Sequence, residues 1–459
     1  MTASGIGRDG ASPRVCIIGA GPSGITAAKA LLDAGVPFDC FEKSDRVGGN
    51  WVFRNRNRMN SVYRSLCINS SRIRSQYSDF PMPKDYPDYP SHQLLSRYFD
   101  AYVDHFGLRE RIQFESEVCR VEPHTNGAWS VVLAGGSEHR YAAVGVANGH
   151  HWDPRWPEPP FEGEFRGAQM HSHDYIDPGE PHPLFGKRVL VVGMGNSAMD
   201  IACELSAPGV AQRVYLAARR GAYILPKYLL GRPLDESAGW IGMFPRPMRS
   251  VIARGVYRLV VGRPQDYGLP VPDHPLGGAH PTISSDIFER LNAGRIIVKP
   301  NILKLRSDVV EFRDGSFERV EAIIFCTGYK VTFPFFDQAL VSAPDNDLPL
   351  FRRVFSPDHP GLFFFGLCQP VGAVMPIAEA QGKWVAQYVT GKYALPSRDA
   401  MRQDIETERK RMSARYVPSK RHTMQIDVDQ YLPGLRWELA AGRRRAQRVT
   451  GRRSLSDRG

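Results

Sequence analysis

Apolar runs and amphipathic stretches alternate along this chain in the order strand, helix, strand. Residues 14–18 (Arg14-Val15-Cys16-Ile17-Ile18) form a short apolar run that stops at a glycine, as expected for a strand buried on both faces. Residues 25–34 then carry small and apolar side chains at helical spacing, and residues 36–41 read as the next strand. The succession returns at Arg188–Val192, passes through a helix ending near Leu205, and closes with Arg213–Ala217. Between the two units, residues 92–106 predict a helix with Leu94, Leu95, Tyr98, Phe99, Tyr102 and Phe106 as its core stripe. Residues 77–90 are dense in proline and aromatics and predict an irregular, packed loop. The apolar run at 362–367 is too short to cross a bilayer and predicts another buried strand, so no transmembrane segment is expected.

The turn inside each unit has dinucleotide-binding spacing. The first is Gly19-Ala20-Gly21-Pro22-Ser23-Gly24; the second is Gly193-Met194-Gly195-Asn196-Ser197-Ala198, continuing into Met199 and Asp200. The first two glycines let the backbone turn sharply and approach a pyrophosphate, and the third position must stay small so that helix and strand pack closely. The helix N-terminus then presents unpaired N–H groups to the anion. Ala198 replaces the third glycine and is still small. The strands that follow end in opposite charges: Glu42 after the first turn, Arg219 and Arg220 after the second. A carboxylate about twenty positions beyond the turn accepts ribose hydroxyls and repels a 2′-phosphate, which suits FAD or NAD. Paired guanidinium groups suit the 2′-phosphate of NADP. The expected fold class is therefore α/β, with two dinucleotide-binding Rossmann-like domains.

The organisation predicted from this pattern nests one domain inside the other. Residues 14–170 and 320–442 are expected to form the FAD-binding domain, and 171–319 the inserted NADP-binding domain. Proline-dense stretches at 154–160 and 177–183 look like hinges. A strand at 321–326, ending in Thr327-Gly328-Tyr329, is expected to rejoin the first domain near the flavin. Residues 1–13 read as a flexible N-terminus and 443–459 as a basic, disordered tail.

Charge and cysteine content narrow the function classes. The formal net charge is +11, but seven arginines and one aspartate between 443 and 459 account for +6 of it, so no nucleic-acid surface is expected. The seven cysteines include no CxxC pair, which excludes a disulfide reductase and fits a reducing, cytoplasmic setting. The first dozen residues have no apolar stretch of signal-peptide type. His150-His151 and His171-x-His173 lack a carboxylate or thiolate at ligand spacing, so no metal site is expected.

The residues between the two turns carry a resemblance. Phe165-x-Gly167-x-x-x-His171-x-x-x-Tyr175 resembles the fingerprint of the flavin-containing monooxygenases, in its family place upstream of the NADPH turn. GGNW at 48–51, NSS from Asn69, YSDFPMP from Tyr77, GNSAMDIA from Gly195, FCTGY from Phe325 and GLCQPVGAVMPIAEAQ from Gly366 follow in family order over roughly 14–390. Related Baeyer–Villiger enzymes end the fingerprint in Trp where this chain has Tyr175, a departure that favours heteroatom oxygenation over ketone insertion.

The resemblance implies that NADPH reduces FAD, that dioxygen adds at the flavin C4a position, and that the resulting hydroperoxide oxygenates a nucleophilic nitrogen or sulfur of a small amine or sulfide. Ketone oxygenation or a dedicated biosynthetic N-hydroxylation are the alternatives, and a homodimer is also implied. The cofactor carries the hard step, so the protein must position it and keep the site dry. Asn69 matches the family's asparagine beside the isoalloxazine; its local sequence equally fits a turn or cap residue. Asn50 and Trp51 follow a Gly-Gly turn that passes close to the flavin, with plain core packing the other reading of Trp51. Gln369 is either a flavin contact or a strand-end surface residue. Ile68, Ser70 and Val118 complete the expected cofactor-binding set. His171 reads as a structural residue that fixes the segment between the domains.

Overall fold

The computed structural model describes residues 14–237, 244–417 and 422–456. Two five-stranded parallel sheets organise it. The first contains β1 (Val15–Ile18), β2 (Phe38–Phe41), β3 (Ile112–Gln113), β4 (Ala143–Val146) and, far later in the chain, β10 (Leu362–Phe364), in the order β10-β4-β1-β2-β3. The second contains β5 (Ala168–His171), β6 (Arg188–Val192), β7 (Arg213–Ala217), β8 (Ile296–Lys299) and β9 (Ala322–Phe325), in the order β5-β9-β6-β7-β8. All pairings in both sheets are parallel, and Val15 lies between Phe38 and Ala143 as Val189 lies between Val214 and Ala322. The central strands, β1 along its length and β6 from Val189 onward, are apolar because both faces are covered.

Helix α1 (Pro22–Asp33) packs beneath the first sheet, starting on a proline whose missing N–H costs nothing there. Helix α4 (Met375–Val389) lies against it so closely that a Cβ on Gly382 would come 3.0 Å from the Ala27 Cα. Helix α2 (His92–His105) buries Leu95, Tyr98, Phe99, Tyr102 and Val103 on the same core, close to the predicted stripe. The loop at 77–90 is irregular and packed: Tyr77 is fully buried and donates to the Pro22 carbonyl at 2.8 Å. Helix α3 (Asn196–Leu205) is the counterpart of α1 in the second unit.

Two expectations need correction. The predicted domain boundaries at 170/171 and 319/320 fall among the strands of the second sheet. Strand β9, expected to return to the first domain, instead inserts between β5 and β6 of the second. The chain leaves that sheet afterwards, where Tyr329–Lys330 pairs antiparallel with Asp153–Pro154. The arginine-rich end also differs: helix α5 (Val428–Ser456) runs through most of it. Arg445 donates to the Ala394 carbonyl at 2.9 Å, lies over the Tyr393 ring and pairs with Glu438, while Arg443 donates to Gln387 at 2.9 Å. A charge count overlooked these partners, which lie on α4, just beyond it and, for Glu438, on α5 itself. Residues 1–13 and 457–459 lie outside the described residues.

Candidate functional site

Both glycine turns open onto one cavity of about 1620 Å³. A drug-sized ligand occupies roughly 300–1,000 Å³, so this space exceeds the needs of a single small molecule. In the first turn, a Cβ on Gly24 would lie 1.8 Å from the Gly19 carbonyl oxygen, so helix α1 approaches β1 only because the third position is glycine. In the second, Gly193 has φ +138° and a Cβ there would meet the Cys326 carbonyl at 2.5 Å. The alanine allowed at 198 is fully buried in α3.

Glu42 is only 4% exposed at the end of β2, yet it lines the cavity. Its Oε2 accepts from the Ala20 N–H at 2.7 Å and its Oε1 from the Ser44 N–H at 2.8 Å. Burial pushes the carboxyl upward and these backbone donors oppose it. The Asn57 side chain also reaches this carboxylate, and with about four acceptor positions in all it keeps capacity for a ribose hydroxyl. Gly19, Gly21, Pro22 and Ser23 line the same end, with Asn50 and Trp51 beside them. The Asn50 side-chain oxygen is taken by the Ser61 N–H at 2.7 Å, which leaves its amide NH₂ as the available donor. Trp51 faces the cavity and also packs against the first core, so both of its readings hold geometrically.

At the other end lie Gly193, Gly195, Asn196, Ser197, Arg219 and Arg220. The turn is braced by the Thr282 hydroxyl, which donates to the Met194 carbonyl at 2.7 Å, and by the Ile283 N–H, which donates to Asn196 Oδ1 at 2.8 Å. Arg220 Nε donates to Asp273 Oδ2 at 2.6 Å, whereas Arg219 forms no ion pair among the described residues.

Ile68, Asn69, Ser70 and Gln369 also line the cavity, as does Val118, which lies on the Glu42 side where the Ser116 N–H donates to the Glu42 carbonyl at 2.9 Å. Asn69 Oδ1 is buried and has no hydrogen-bond partner among the described residues. An unpaired buried acceptor costs about 1–3 kcal/mol, so this atom marks where a ligand's donor belongs. Gln369 starts a short strand, Gln369–Val371, paired with Gln425–Asp427, which is how a strand-end residue comes to face the cavity.

Five expected cofactor residues stand behind the lining: Ala20, Gly24, Ala198, Met199 and Asp200. Ala20 meets Glu42 through its N–H, and Gly24, Ala198 and Met199 are packing positions. Asp200 turns inward to accept from the Tyr63 hydroxyl at 2.5 Å, and burial pushes its carboxyl up to about 6. Helical spacing alone could not tell that this face of α3 points away from the ligand.

The fingerprint has a structural part of its own. A Cβ on Gly167 would sit 2.5 Å from the Glu321 carbonyl, next to β9. His171 is fully buried with Nδ1 accepting from the His173 N–H at 3.1 Å, and burial, aided by His173, lowers its imidazole to about 4. Tyr175 is buried and donates to Glu204 Oε2 at 2.7 Å. None of Phe165, Gly167, His171 and Tyr175 lines the cavity, so Tyr175 cannot choose between heteroatom and ketone by touching the substrate. Sequence reasoning missed Tyr63, Thr282 and Asp235, which carry no local motif.

A family model for flavin-binding monooxygenase-like proteins matches residues 12–443. The chain belongs to that family. It is 37% identical over 437 residues to flavin-containing monooxygenase 5 of Rattus norvegicus, covering 91% of this chain and 81% of the relative. It is 34% identical over 452 residues to dimethylaniline monooxygenase [N-oxide-forming] 2 of the same organism, covering 93% and 83%. Among solved structures, S-allyl-L-cysteine S-oxygenase from Allium sativum superposes with a TM-score of 0.70 at 27% identity, covering 94% of this chain and 89% of that one. This family member is thus an oxidoreductase that uses FAD and NADPH to oxygenate small molecules. Among the described residues, no helix is long and apolar enough to cross a membrane.

Proposed function

We propose that the chain oxygenates a nucleophilic nitrogen or sulfur at the seam beside Asn69, with FAD bound on the Glu42 side and NADPH on the Arg219 side. The observation that carries this reading is a single cavity joining an acidic and a basic glycine turn, with a buried amide oxygen that has no partner among the described residues. FAD, once reduced by NADPH, supplies the activation of dioxygen. The chain's own residues do the rest. Gly19, Gly21, Pro22 and Ser23 cradle the FAD pyrophosphate, and Glu42 accepts the ribose hydroxyls. Gly193, Gly195, Asn196 and Ser197 do the same for NADPH, and Arg219 with Arg220 holds the 2′-phosphate. Asn50, Trp51, Ile68, Ser70, Val118 and Gln369 enclose the flavin and exclude water, while the Asn69 amide accepts from and donates to flavin and nicotinamide.

The names of the relatives, an N-oxide-forming enzyme and an S-oxygenase, support nitrogen and sulfur as targets. The deciding assay supplies NADPH and ¹⁸O₂ to the holoenzyme with a tertiary amine, methyl phenyl sulfide, a primary amine and a cyclic ketone, and reads product mass. An N-oxide or sulfoxide carrying one labelled oxygen supports the reading. Label confined to a lactone moves the chain to ketone oxygenation, and label only on the primary amine moves it to a dedicated N-hydroxylase. Peroxide as the sole product with every probe overturns oxygen transfer. The reading places the enzyme in the cytoplasm, in keeping with seven free cysteines, and as a homodimer, which light scattering tests.

A further inference from the structure

Asn69 belongs to a strip of backbone held from two sides. The N–H groups of Ile68 and Arg72 donate to the carbonyls of Pro90 (3.0 Å) and Asp88 (2.6 Å), both in the loop that precedes α2. The Ser71 N–H, between them, instead crosses to the inserted unit and donates to Asp235 Oδ2 at 2.7 Å. Asp235 lies in the short helix Leu234–Ser237, directly after the hairpin formed by Tyr228–Leu229 and Arg232–Pro233. That hairpin is anchored on both flanks. The Tyr89 hydroxyl donates to the Lys227 carbonyl, and the Tyr89 and Tyr228 rings meet edge-on at 5.3 Å. On the other flank the Lys227 N–H donates to Ser285 Oγ at 3.0 Å. Ser285 follows the Thr282–Ile283 strand that braces Met194 and Asn196 of the second glycine turn. A run of hydrogen bonds and short backbone segments therefore links the NADPH turn to the strip bearing Asn69, and Asp235 supplies its last bond.

We propose that Asp235 is a positioning residue for oxygen transfer: by accepting the Ser71 N–H across the seam, it holds Asn69 in register with the NADPH turn. The inference rests on the reading of Asn69 given above. Without this acceptor, Ser71 loses the one hydrogen bond that ties it to the inserted unit among the described residues, Asn69 gains freedom, and the reduced flavin is less well shielded. The expected defect is in coupling, the share of NADPH oxidation that yields product rather than peroxide. Asp235 lines the cavity, but among the described residues its hydrogen bond goes to Ser71 and to neither glycine turn, so hydride transfer should be largely spared.

The test uses the FAD-loaded full chain with NADPH and methyl phenyl sulfide, reading peroxide per NADPH consumed alongside the anaerobic rate of flavin reduction. Asp235→Ala should raise the peroxide share by roughly threefold to tenfold, with the reduction rate within about twofold of the parent. Asp235→Asn keeps an acceptor oxygen for the Ser71 N–H and should restore parental coupling. Ser71→Pro removes the donor instead, at a residue whose φ of −64° suits proline, and should reproduce the Asp235→Ala defect; Ser71→Ala, which loses only the side-chain cap on the Arg74 N–H and keeps the donor, should stay coupled. A coupled Asp235→Ala enzyme, an Asp235→Asn enzyme as uncoupled as Asp235→Ala, a coupled Ser71→Pro enzyme or an uncoupled Ser71→Ala enzyme overturns the proposal. If Asp235→Ala fails to retain FAD, the other variants decide. Failure of the underlying reading looks different, because the parent itself would then give only peroxide.

Discussion

Coenzyme choice offers the sharpest quantitative test, because the two arginines at the end of β7 are not equivalent. Arg219 is exposed to the cavity and forms no ion pair among the described residues, whereas Arg220 is tied to Asp273 at 2.6 Å, which also accepts from His274 at 3.0 Å. A phosphate must therefore compete with Asp273 for Arg220 but not for Arg219. Losing charge-assisted hydrogen bonds from a guanidinium costs about 2 kcal/mol, and each 1.4 kcal/mol is a factor of ten. Arg219→Ala should raise the apparent KM for NADPH roughly thirtyfold and leave that for NADH within about twofold. Arg220→Ala should cost clearly less, because Asp273 already engages that guanidinium, and Asp273→Asn should strengthen NADPH binding by releasing Arg220. Steady-state NAD(P)H oxidation at fixed salt measures all three. Equal effects of Arg219→Ala on NADPH and NADH would refute the 2′-phosphate assignment, and a larger effect at Arg220 would refute the argument from Asp273.

Other consequences follow from packing, the amide and burial. Gly24→Ala forces a Cβ to within 1.8 Å of a backbone oxygen, so the purified variant should carry little or no flavin absorbance; normal FAD content would mean that α1 can shift away from β1. Asn69→Ala should retain FAD yet lose coupling by about tenfold, read as peroxide per NADPH, and unchanged coupling would remove Asn69 from the site. His171 has a folded pKa near 4 against an ordinary value of 6.5, so the unfolded chain takes up the proton first as pH falls. The stabilisation is complete above pH 6.5 and lost progressively toward pH 4, by about 3 kcal/mol in all. Denaturant unfolding between pH 7.5 and 4.5 should show a smaller loss for His171→Asn than for the parent; equal losses would mean that other groups set the acid limb.

Local pattern carried much of this molecule. β6 and β7 begin and end where the apolar runs at 188–192 and 213–217 do, because continuous burial leaves no polar position to blur their ends. The cavity-facing residues Gly19, Gly21, Pro22, Ser23, Glu42, Asn69 and Arg219 were likewise readable, since each follows from a turn, a strand end or a family motif. What escaped depends on contacts distant in sequence. Nothing in residues 321–326 says which sheet they join, and the inward turn of Asp200 is set by Tyr63, 137 positions away. Asp235 reaches Ser71 across 164 positions and sits in no recognisable motif.

The place of β9 between β5 and β6 also constrains how the protein is made. A chain emerging from the ribosome completes four of the five strands of the second sheet by residue 299, yet the edge strand β5 cannot pair until residues 322–325 arrive. The first sheet has an equivalent delay, because β10 closes it only at residue 364. Neither nucleotide unit can finish before the other is nearly synthesised, so the usual N-terminal-first sequence of domain folding gives way to late, almost simultaneous closure. Apolar strand edges stay exposed for most of translation, and a chain cut anywhere before Phe325 lacks an interior strand of the second sheet, not an edge one.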